Sequence, residues 1–181
     1  MHATLCDLIT DLVQNSIEAQ ATDIHLNIKE TDTNLSFVIA DNGKGMNAET
    51  LEKAKDPFYS DGRKHRHRKV GLGLPFLFQT AEWTGGTAEI ESEEGTGTTV
   101  TFSADPAHVD LPQFGNFTTA AVTLMAYGFE GNLNIERHVN GRGYSISRNE
   151  LIDALGDLSD TDSLVLLKEF IASREEDIGA L

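Results

Sequence analysis

Apolar residues follow a helical spacing at the start of the chain. They recur every three to four positions, at Leu5, Leu8, Ile9, Leu12 and Ile17. This period is typical of a helix that buries one face. The other face carries a polar stripe of Asp11, Asn15 and Glu18, since side chains three and four residues apart lie on the same side of a helix. The pattern predicts an amphipathic helix over residues 5–20 with one face available for chemistry.

Alternating apolar residues predict strands in the next part of the chain. The runs 23–29 and 35–40 alternate apolar and polar positions and are predicted to form a hairpin. Residues 87–92 and 98–103 are predicted to pair in the same way around a glycine-containing turn. The first half of the chain therefore combines helices with antiparallel strands.

A helix is also predicted between the two hairpins, over residues 47–55. It is expected to end before Asp56-Pro57, because the residue that precedes proline avoids the helical region. A second, more apolar helix-like segment runs up to Trp83.

The composition shifts at Asp105-Pro106, which predicts a boundary between a unit at 1–104 and a small α/β extension at 105–181. The extension is predicted to contain a hairpin followed by two helices, over 132–139, 143–146, 148–155 and 162–173.

Composition and charge narrow the classes of function. The 181 residues suit one domain with an appendage. The net charge of -15 argues against a nucleic-acid partner, because neutralising phosphates requires clustered lysine and arginine. Cys6 is the only cysteine, which excludes a disulfide within the chain and a cysteine-based zinc site. No apolar run reaches membrane-spanning length and the start lacks a signal-peptide pattern, so we expect a cytoplasmic protein without a membrane partner.

The segment Asp41-Asn42-Gly43-Lys44-Gly45-Met46 lies between a predicted strand and a predicted helix. A carboxylate at a strand end can accept a hydrogen bond from the exocyclic amine of adenine, and the glycines allow the backbone to turn sharply beside a planar ring. Ordinary turns have a similar composition. Taken together with the polar stripe of the first helix, however, the segment favours a nucleotide pocket.

Asn15 and Asp11 are the candidates for metal and water chemistry. An asparagine oxygen is a hard ligand of the kind that Mg²⁺ takes while it stays bound to water and nucleotide phosphates. Asp11, one helical turn earlier, is placed to orient or deprotonate a water molecule. The alternative interpretation is that both are solvent-facing residues of an amphipathic helix.

One strongly basic run interrupts this acidic chain, at residues 63–69. The glycines Gly71 and Gly73 follow it directly, before a predicted helix whose free N–H groups and dipole favour phosphate oxygens. Both features favour the same polyanion. The alternatives are a solvated loop or a docking patch for an acidic partner, and for the glycines a close-packed turn. His65 and His67 lack accompanying carboxylates at ligand spacing and are interpreted as residues of a lid.

Two further residues are candidates with a simple structural alternative. Thr98 places a hydroxyl at the start of a strand, within reach of an adenine edge directly or through water, although threonine also suits strands in general. Phe58 is a candidate for contact with the base, and its alternative is packing.

Taken in order, these segments resemble the ATP-binding domain shared by DNA gyrase, the heat-shock chaperone, histidine kinases and the mismatch-repair ATPase, which is the GHKL superfamily with the Bergerat fold. Residues 11–19 resemble its N box in the mismatch-repair style, and 41–46 its first glycine box. The F box, the second glycine box and the closing strand correspond to 56–59, 71–74 and 97–102. The resemblance covers roughly residues 4–104.

The resemblance implies a role for each matching residue. Asn15 would contact Mg²⁺, Asp41 the adenine amine, and Thr98 would support that contact. Residues 58–70 would form an ATP lid, with Arg68 and Lys69 as our preferred contacts to phosphate. The remaining candidates for ATP contact are Gly43, Gly45, Met46, Phe58, Gly71, Leu72, Gly73 and Leu74.

Two departures from the superfamily bear on activity. Asp11 stands where the ATPase branches have a general-base glutamate, and its shorter side chain predicts slow hydrolysis or none. Almost nothing precedes the N box, so we expect no phosphoacceptor-histidine hairpin ahead of it. Lys168 is the only lysine after residue 105, and we assign it no contact to the γ-phosphate.

We therefore predict an α/β two-layer sandwich of the Bergerat type with a small extension. The predicted function is a stand-alone Mg-ATP-binding protein that regulates an unidentified partner protein, through phosphoryl transfer or through nucleotide-dependent lid movement. The alternatives are a slow ATPase that uses Asp11 and a non-enzymatic nucleotide-sensing module. A homodimer is a further hypothesis.

Overall fold

The first helix forms where its sequence pattern predicts it, over Leu5–Glu18 (α1). The computed structural model of the chain describes residues 4–55 and 73–180. Thr4 and Asp7 make a capping box: Thr4 Oγ1 accepts from the Asp7 N–H at 3.1 Å, and Asp7 Oδ2 accepts from the Thr4 N–H at 3.0 Å. Such a cap satisfies two N–H groups that the helix leaves without partners. It fixes the start of the helix that carries the polar stripe.

The strands follow the predicted alternation closely. They are Asp23–Glu30 (β1), Leu35–Asp41 (β2), Thr87–Glu93 (β3), Gly97–Ala104 (β4), Asn132–Val139 (β5) and Arg142–Ser147 (β6). β1 and β2, β3 and β4, and β5 and β6 form antiparallel hairpins as predicted. β4 also pairs antiparallel with β2, which places the second hairpin beside the first.

The described strands form one mixed six-stranded sheet in the order β3-β4-β2-β1-β5-β6. β5 joins it by pairing parallel with β1 along the full length of both strands, from Asp23 opposite Asn132 to Glu30 opposite Val139. The sheet therefore runs continuously across the predicted boundary at residue 104. That boundary stays a prediction about the organisation of the sequence, while the two parts share one hydrophobic core.

The helices pack on one face of the sheet and make the second layer. The other described helices are Ala48–Lys55 (α2), Gly73–Thr84 (α3), Phe117–Ala126 (α4), Arg148–Leu155 (α5) and Thr161–Ile178 (α6). The alternating apolar residues of the strands point into this layer, where Phe37 of β2 and Phe102 of β4 stack with ring centroids 5.2 Å apart. The prediction of an α/β two-layer sandwich is confirmed.

Two helices differ from the sequence prediction. α4 is not predicted from the sequence. Its N-cap is Asn116, whose side-chain oxygen accepts from the Thr119 N–H at 2.8 Å. α6 extends to Ile178 rather than to residue 173, and it stops at Gly179, whose φ of 75° is left-handed. Glycine adopts this conformation without steric cost, which is why it ends helices.

A buried arginine ties the extension to the rest of the sheet. Arg137 on β5 is 1% exposed, and its Nη2 donates to Glu30 Oε2 on β1 at 2.7 Å. Its Nε lies 3.6 Å from Glu175 Oε2 on α6, and its guanidinium lies 4.5 Å from the centroid of the Phe114 ring. Tyr144 on β6 donates to Glu175 Oε1 at 2.6 Å. This cluster links β5 and β6 to β1 and α6.

Candidate functional site

A cavity of about 590 Å³ opens between α1, the turn after β2, the start of α3 and the strands β3 and β4. It brings together many of the predicted site residues, namely Asn15, Asp41, Gly45, Met46, Leu74 and Thr98. Its remaining lining is Leu12, Ser16, Glu18, Ala19, Lys44, Ile90 and Val100. The apolar members suit a planar ring, and the polar members lie in positions to fix its orientation.

Asp41 lies at the end of β2 with both carboxylate oxygens held in place. Its Oδ2 accepts from Ser16 Oγ at 2.7 Å, and its Oδ1 accepts from the Gly43 N–H at 2.8 Å. An ionised carboxylate has about four acceptor positions on its two oxygens, so these two bonds leave acceptor capacity for a ligand. Asp41 is therefore a pre-oriented acceptor in the cavity wall.

Thr98 stands directly opposite Asp41 in the pairing of β2 with β4. Its hydroxyl oxygen lies 2.8 Å from Ser92 Oγ on β3. Ser92 Oγ also accepts from the Met46 N–H at 2.9 Å and donates to the Gly97 carbonyl at 3.0 Å. A serine hydroxyl has one proton, and a carbonyl can only accept. Because Ser92 donates its single proton to the Gly97 carbonyl, the Thr98 hydroxyl is the donor in its hydrogen bond with Ser92.

This proton arrangement leaves Thr98 as an acceptor toward the cavity. Together with Asp41 it forms a polar wall that offers acceptors. Such a wall suits the two hydrogens of an exocyclic amine and disfavours a carbonyl at the same position.

Ser92 and Ser16 hold the Asp41 and Thr98 wall of the cavity through hydrogen bonds, and the sequence reasoning missed both. Ser16 is 5% exposed and lies beside Asn15 at the edge of the polar stripe. Ser92 occupies an inward position of β3, two residues after the buried Ile90. A polar residue at an inward strand position was the available signal in the case of Ser92, but its partners lie on other elements.

The glycines of the turn after β2 make close contact with the protein's own backbone. Gly45 has a φ of 61°, and a Cβ there would lie 1.9 Å from the Glu93 carbonyl oxygen. A Cβ at Gly43 would lie 2.9 Å from the carbonyl oxygen of Ala19. Glycine is thus required for packing of the turn on α1 and β3. Gly45 also lines the cavity, while the predicted contact of Gly43 with a ligand stays a prediction.

The polar stripe of α1 meets the start of α3. A Cβ built on Gly73 would lie 3.7 Å from Asp11 Cβ and 3.8 Å from Asn15 Nδ2. Asn15 lines the cavity, and Glu18 on the same stripe lines it as well. Asp11 is half-buried beside Gly73, outside the cavity lining. Its predicted catalytic role stays a prediction.

The model of the family of histidine kinase-, DNA gyrase B-, and HSP90-like ATPases matches residues 2–108. The chain belongs to this family. The resemblance identified from the ordered motifs is thereby confirmed. The matched segment ends near the predicted boundary, so α4 to α6 with β5 and β6 lie outside it.

Curated relatives of this ATPase-family chain include kinases. It is 36% identical over 107 residues to sporulation kinase B of Bacillus subtilis (strain 168), covering 58% of this chain and 23% of that protein. It is 33% identical over 99 residues to the histidine protein kinase DivJ of Caulobacter vibrioides, covering 53% of this chain and 17% of that protein. The likeness thus spans less than a quarter of either relative.

A solved structure resembles the ATPase-family chain over most of its length. The N-terminal domain of a DNA repair protein superposes with a TM-score of 0.59 at 16% identity, covering 90% of this chain and 59% of that one. This likeness concerns the fold, and its extent includes the sheet beyond the family match. Within residues 4–55 and 73–180, no helix has the length and apolar character needed to cross a membrane.

Several predicted ATP contacts of this ATPase-family chain lie outside the described residues. They are Phe58, Arg68, Lys69, Gly71 and Leu72. Lys44, which was not among the candidates, lines the cavity with an exposed side chain. It is the only lysine or arginine in the lining that the described part of the chain provides.

The donor set of the cavity fits Mg²⁺ that arrives with a nucleotide. Mg²⁺ prefers oxygen ligands, retains several waters and typically takes one or two protein oxygens beside substrate phosphates. Asn15 offers such an oxygen at the cavity wall. Among the described residues there is no group of three or more histidine, cysteine or acidic side chains suited to a metal ion.

Proposed function

We propose that this chain binds ATP with Mg²⁺ in the cavity beside α1 and regulates a partner protein by phosphoryl transfer to it. The observation that supports the proposal is the acceptor wall of Asp41 and Thr98, which lies in the same cavity as Asn15. The wall suits the adenine amine, and the asparagine suits the metal that accompanies the phosphates. A purine nucleotide is a single ligand that carries both an exocyclic amine and metal-binding phosphates.

The adenine ring is assigned to the strand side of the cavity. Ile90, Val100 and Met46 provide apolar surface there, and Asp41 accepts from the exocyclic amine. Ser16 and the Gly43 N–H hold the carboxylate, so it needs little reorganisation when the base binds. A preoriented acceptor of this kind improves affinity because less conformational freedom is lost on binding.

The phosphates are assigned to the side where α1 meets the start of α3. Free N–H groups at a helix start bind anions, and Gly73 opens α3 next to Asn15. Bound Mg²⁺ would neutralise charge on the phosphates. Asn15 would hold the metal by its side-chain oxygen, and Lys44 at the cavity rim adds a positive charge. Phosphoryl transfer depends mainly on such positioning and electrostatics.

The names of the relatives favour a kinase over other ATP-dependent activities. Both sporulation kinase B and DivJ are kinases by name, and each is matched over the nucleotide-binding segment. A slow ATPase is the second candidate, and the position of Asp11 beside Gly73 favours it because the carboxylate lies near the proposed phosphate side. A non-enzymatic nucleotide sensor is the third hypothesis.

Calorimetry with ATP, with and without Mg²⁺, tests the binding proposal, and Asp41→Asn is its decisive variant. The change should weaken ATP binding by about 1–3 kcal/mol, the usual cost of spoiling one buried polar partner. Asp110→Asn is a matched control, since Asp110 is exposed and away from the cavity. Equal affinity of the Asp41 variant and the parent chain would remove Asp41 from the site.

Phosphate release and phosphoprotein formation separate the three activities. Steady release that Asp11→Asn abolishes would support the ATPase. ADP formation that requires a candidate partner, with label transferred to that partner and no effect of Asp11→Asn on binding, would support the kinase. Binding with neither product would leave the sensor.

A further inference from the structure

The strand β6 is an open edge of the sheet, in the part of the chain beyond the family match. Among the described strands it pairs with β5 alone, so the other side of its backbone has no strand partner. Unpaired N–H and C=O groups in a row are a template for another extended segment. Arg142, Gly143 and Ser145 on this strand are exposed.

An apolar groove of about 440 Å³ runs beside this edge on the helix side. Ile146 of β6 forms one wall, Leu151 and Leu155 of α5 contribute another, and Leu166 and Phe170 of α6 close it. Leu166 is 51% exposed and Phe170 36%. Exposed apolar residues that share one groove mark a contact surface more than scattered ones do.

A second, polar pocket of about 260 Å³ lies at the same edge and shares several residues with the groove. It is lined by Glu136 and Glu150 together with serine and asparagine side chains. His25 also lines it and lies 3.0 Å from Asp23. Ser145, Ile146, Ser147 and Glu150 line both spaces.

The charged lining of the groove and the polar pocket is acidic. Glu150 lines both spaces and Glu136 lines the polar pocket, and the described lining of the two spaces contains no lysine or arginine. Glu136 accepts one hydrogen bond from Asn27 at 2.7 Å, and its second oxygen adds to the acidic character of the polar pocket. Electrostatic complementarity therefore favours a basic occupant and disfavours a second copy of this acidic chain.

We propose that β6, the apolar groove and the polar pocket together bind an extended, basic segment of a partner protein by strand addition. Successive side chains of a strand point to opposite faces. A segment paired with β6 would place every second side chain in the apolar groove and the others over Glu136 and Glu150. The occupant is thus a strand in which apolar residues alternate with lysine or arginine.

This site is separate from the nucleotide cavity, because the two share no lining residue. The proposal therefore stands apart from the function proposed for the cavity. Peptide binding is expected to be retained in the Asp41→Asn variant, which isolates a failure of one proposal from a failure of the other.

The test uses a fluorescent synthetic peptide in which lysine alternates with valine and leucine. We expect saturable binding, together with slower amide hydrogen exchange in residues 142–147. Three control peptides are expected to bind much more weakly: one with the same residues in two blocks, one with glutamate for lysine, and one methylated on alternate backbone amides. Methylation removes the N–H donors that strand addition needs and leaves the side chains in place.

Matched variants on α6 complete the experiment. Leu166→Asn is expected to weaken peptide binding about tenfold, as for a central contact of an interface. Val165→Asn is the control, since Val165 is 52% exposed on the same helix and does not line the groove. Phe170→Ser repeats the test at a second groove position, and thermal unfolding verifies that each variant folds.

Several results would overturn the proposal. They are no binding of the alternating peptide, equal binding of the block or methylated peptides, or unchanged exchange in residues 142–147. Sedimentation velocity adds another: a dimer of this chain that Leu166→Asn dissociates would identify the occupant as a second copy instead.

Discussion

Ser16 Oγ donates a hydrogen bond of 2.7 Å to Asp41 Oδ2 and so joins the first helix to the carboxylate at the end of β2. Asn15, the adjacent residue of the helix, lines the same cavity. A shift of α1 would therefore move both the proposed metal contact and the adenine acceptor. The orientation of Asp41 depends on a residue that does not itself need to touch the ligand.

Ser16→Ala should weaken ATP binding by about 1 kcal/mol, the typical net value of one hydrogen bond. The carboxylate keeps its bond from the Gly43 N–H but loses its second fixed point. Calorimetry with ATP and with adenosine measures the effect, and both ligands should lose affinity equally. A loss for ATP alone would contradict a role at the base.

Ser92→Ala should reduce discrimination between adenine and hypoxanthine nucleotides. The change removes the acceptor of the Thr98 hydroxyl proton, which then becomes free to donate toward the cavity. The difference in binding free energy that favours ATP over ITP should therefore fall by about 1 kcal/mol, the scale of one hydrogen bond. Competition calorimetry measures this difference through the affinity ratio of the two nucleotides.

Ser92→Thr is the matched control for that experiment, since it keeps the hydroxyl. A restored ratio would assign the effect to the hydroxyl and not to the packing of β3. An unchanged ratio in Ser92→Ala would contradict the assigned direction of the Thr98 hydrogen bond.

Gly45→Ala should destabilise the fold far more than Gly95→Ala. Both glycines have left-handed backbones, with φ of 61° and 80°. That conformation alone costs alanine about 1–2 kcal/mol. At Gly45 the new methyl would also meet the Glu93 carbonyl oxygen at 1.9 Å, whereas at Gly95 nothing lies within 4 Å.

Urea unfolding measures the difference between the two glycine variants. Equal losses in the free energy of unfolding would mean that the turn at Gly45 can move away from β3 without cost. The difference should also appear in ATP affinity, because the Gly45 turn forms part of the cavity wall.

Cys6 should make the fold less stable at alkaline pH. Burial raises the pKa of its thiol from 9.0 to about 12. The pKa of the thiol is higher in the folded state than in the unfolded state. The stability that the neutral thiol contributes is therefore complete below the unfolded-state pKa and is lost as the pH rises from about 9 toward about 12. In that window the slope approaches about 1.4 kcal/mol per pH unit.

Unfolding in urea at about pH 8 and about pH 10 measures this loss, with Cys6→Ala as the comparison. The parent chain should lose more stability between the two conditions than the variant does. Parallel losses would assign the alkaline sensitivity to other groups, such as Tyr144, whose pKa is also raised, chiefly by burial.

Local patterns predicted much of the fold. Alternation placed β1, β2 and the later hairpins, and the helical period placed α1, because these signals depend on neighbouring residues. These local signals do not predict the parallel pairing of β1 with β5. It joins Ile24 to Leu133, which are far apart in sequence, and no local pattern encodes such a register.

Some residues of the candidate site are likewise predictable from local sequence, and others are not. Asn15, Asp41 and Thr98 were predicted because they belong to ordered motifs, and the cavity brings all three together. Ser16 and Ser92 were missed because their importance arises from hydrogen bonds across the fold. A serine in a strand or on a helix gives no indication of its tertiary partner.

The parallel pairing of β1 with β5 has a practical consequence for shortened chains. A chain cut after residue 108 would keep the whole family match but would leave β1 as a bare edge, with Ile24, Leu26 and Ile28 no longer covered on that side. Long apolar edges recruit other strands. Such a fragment should aggregate, so attempts to isolate the nucleotide-binding unit need to retain the sequence up to α6.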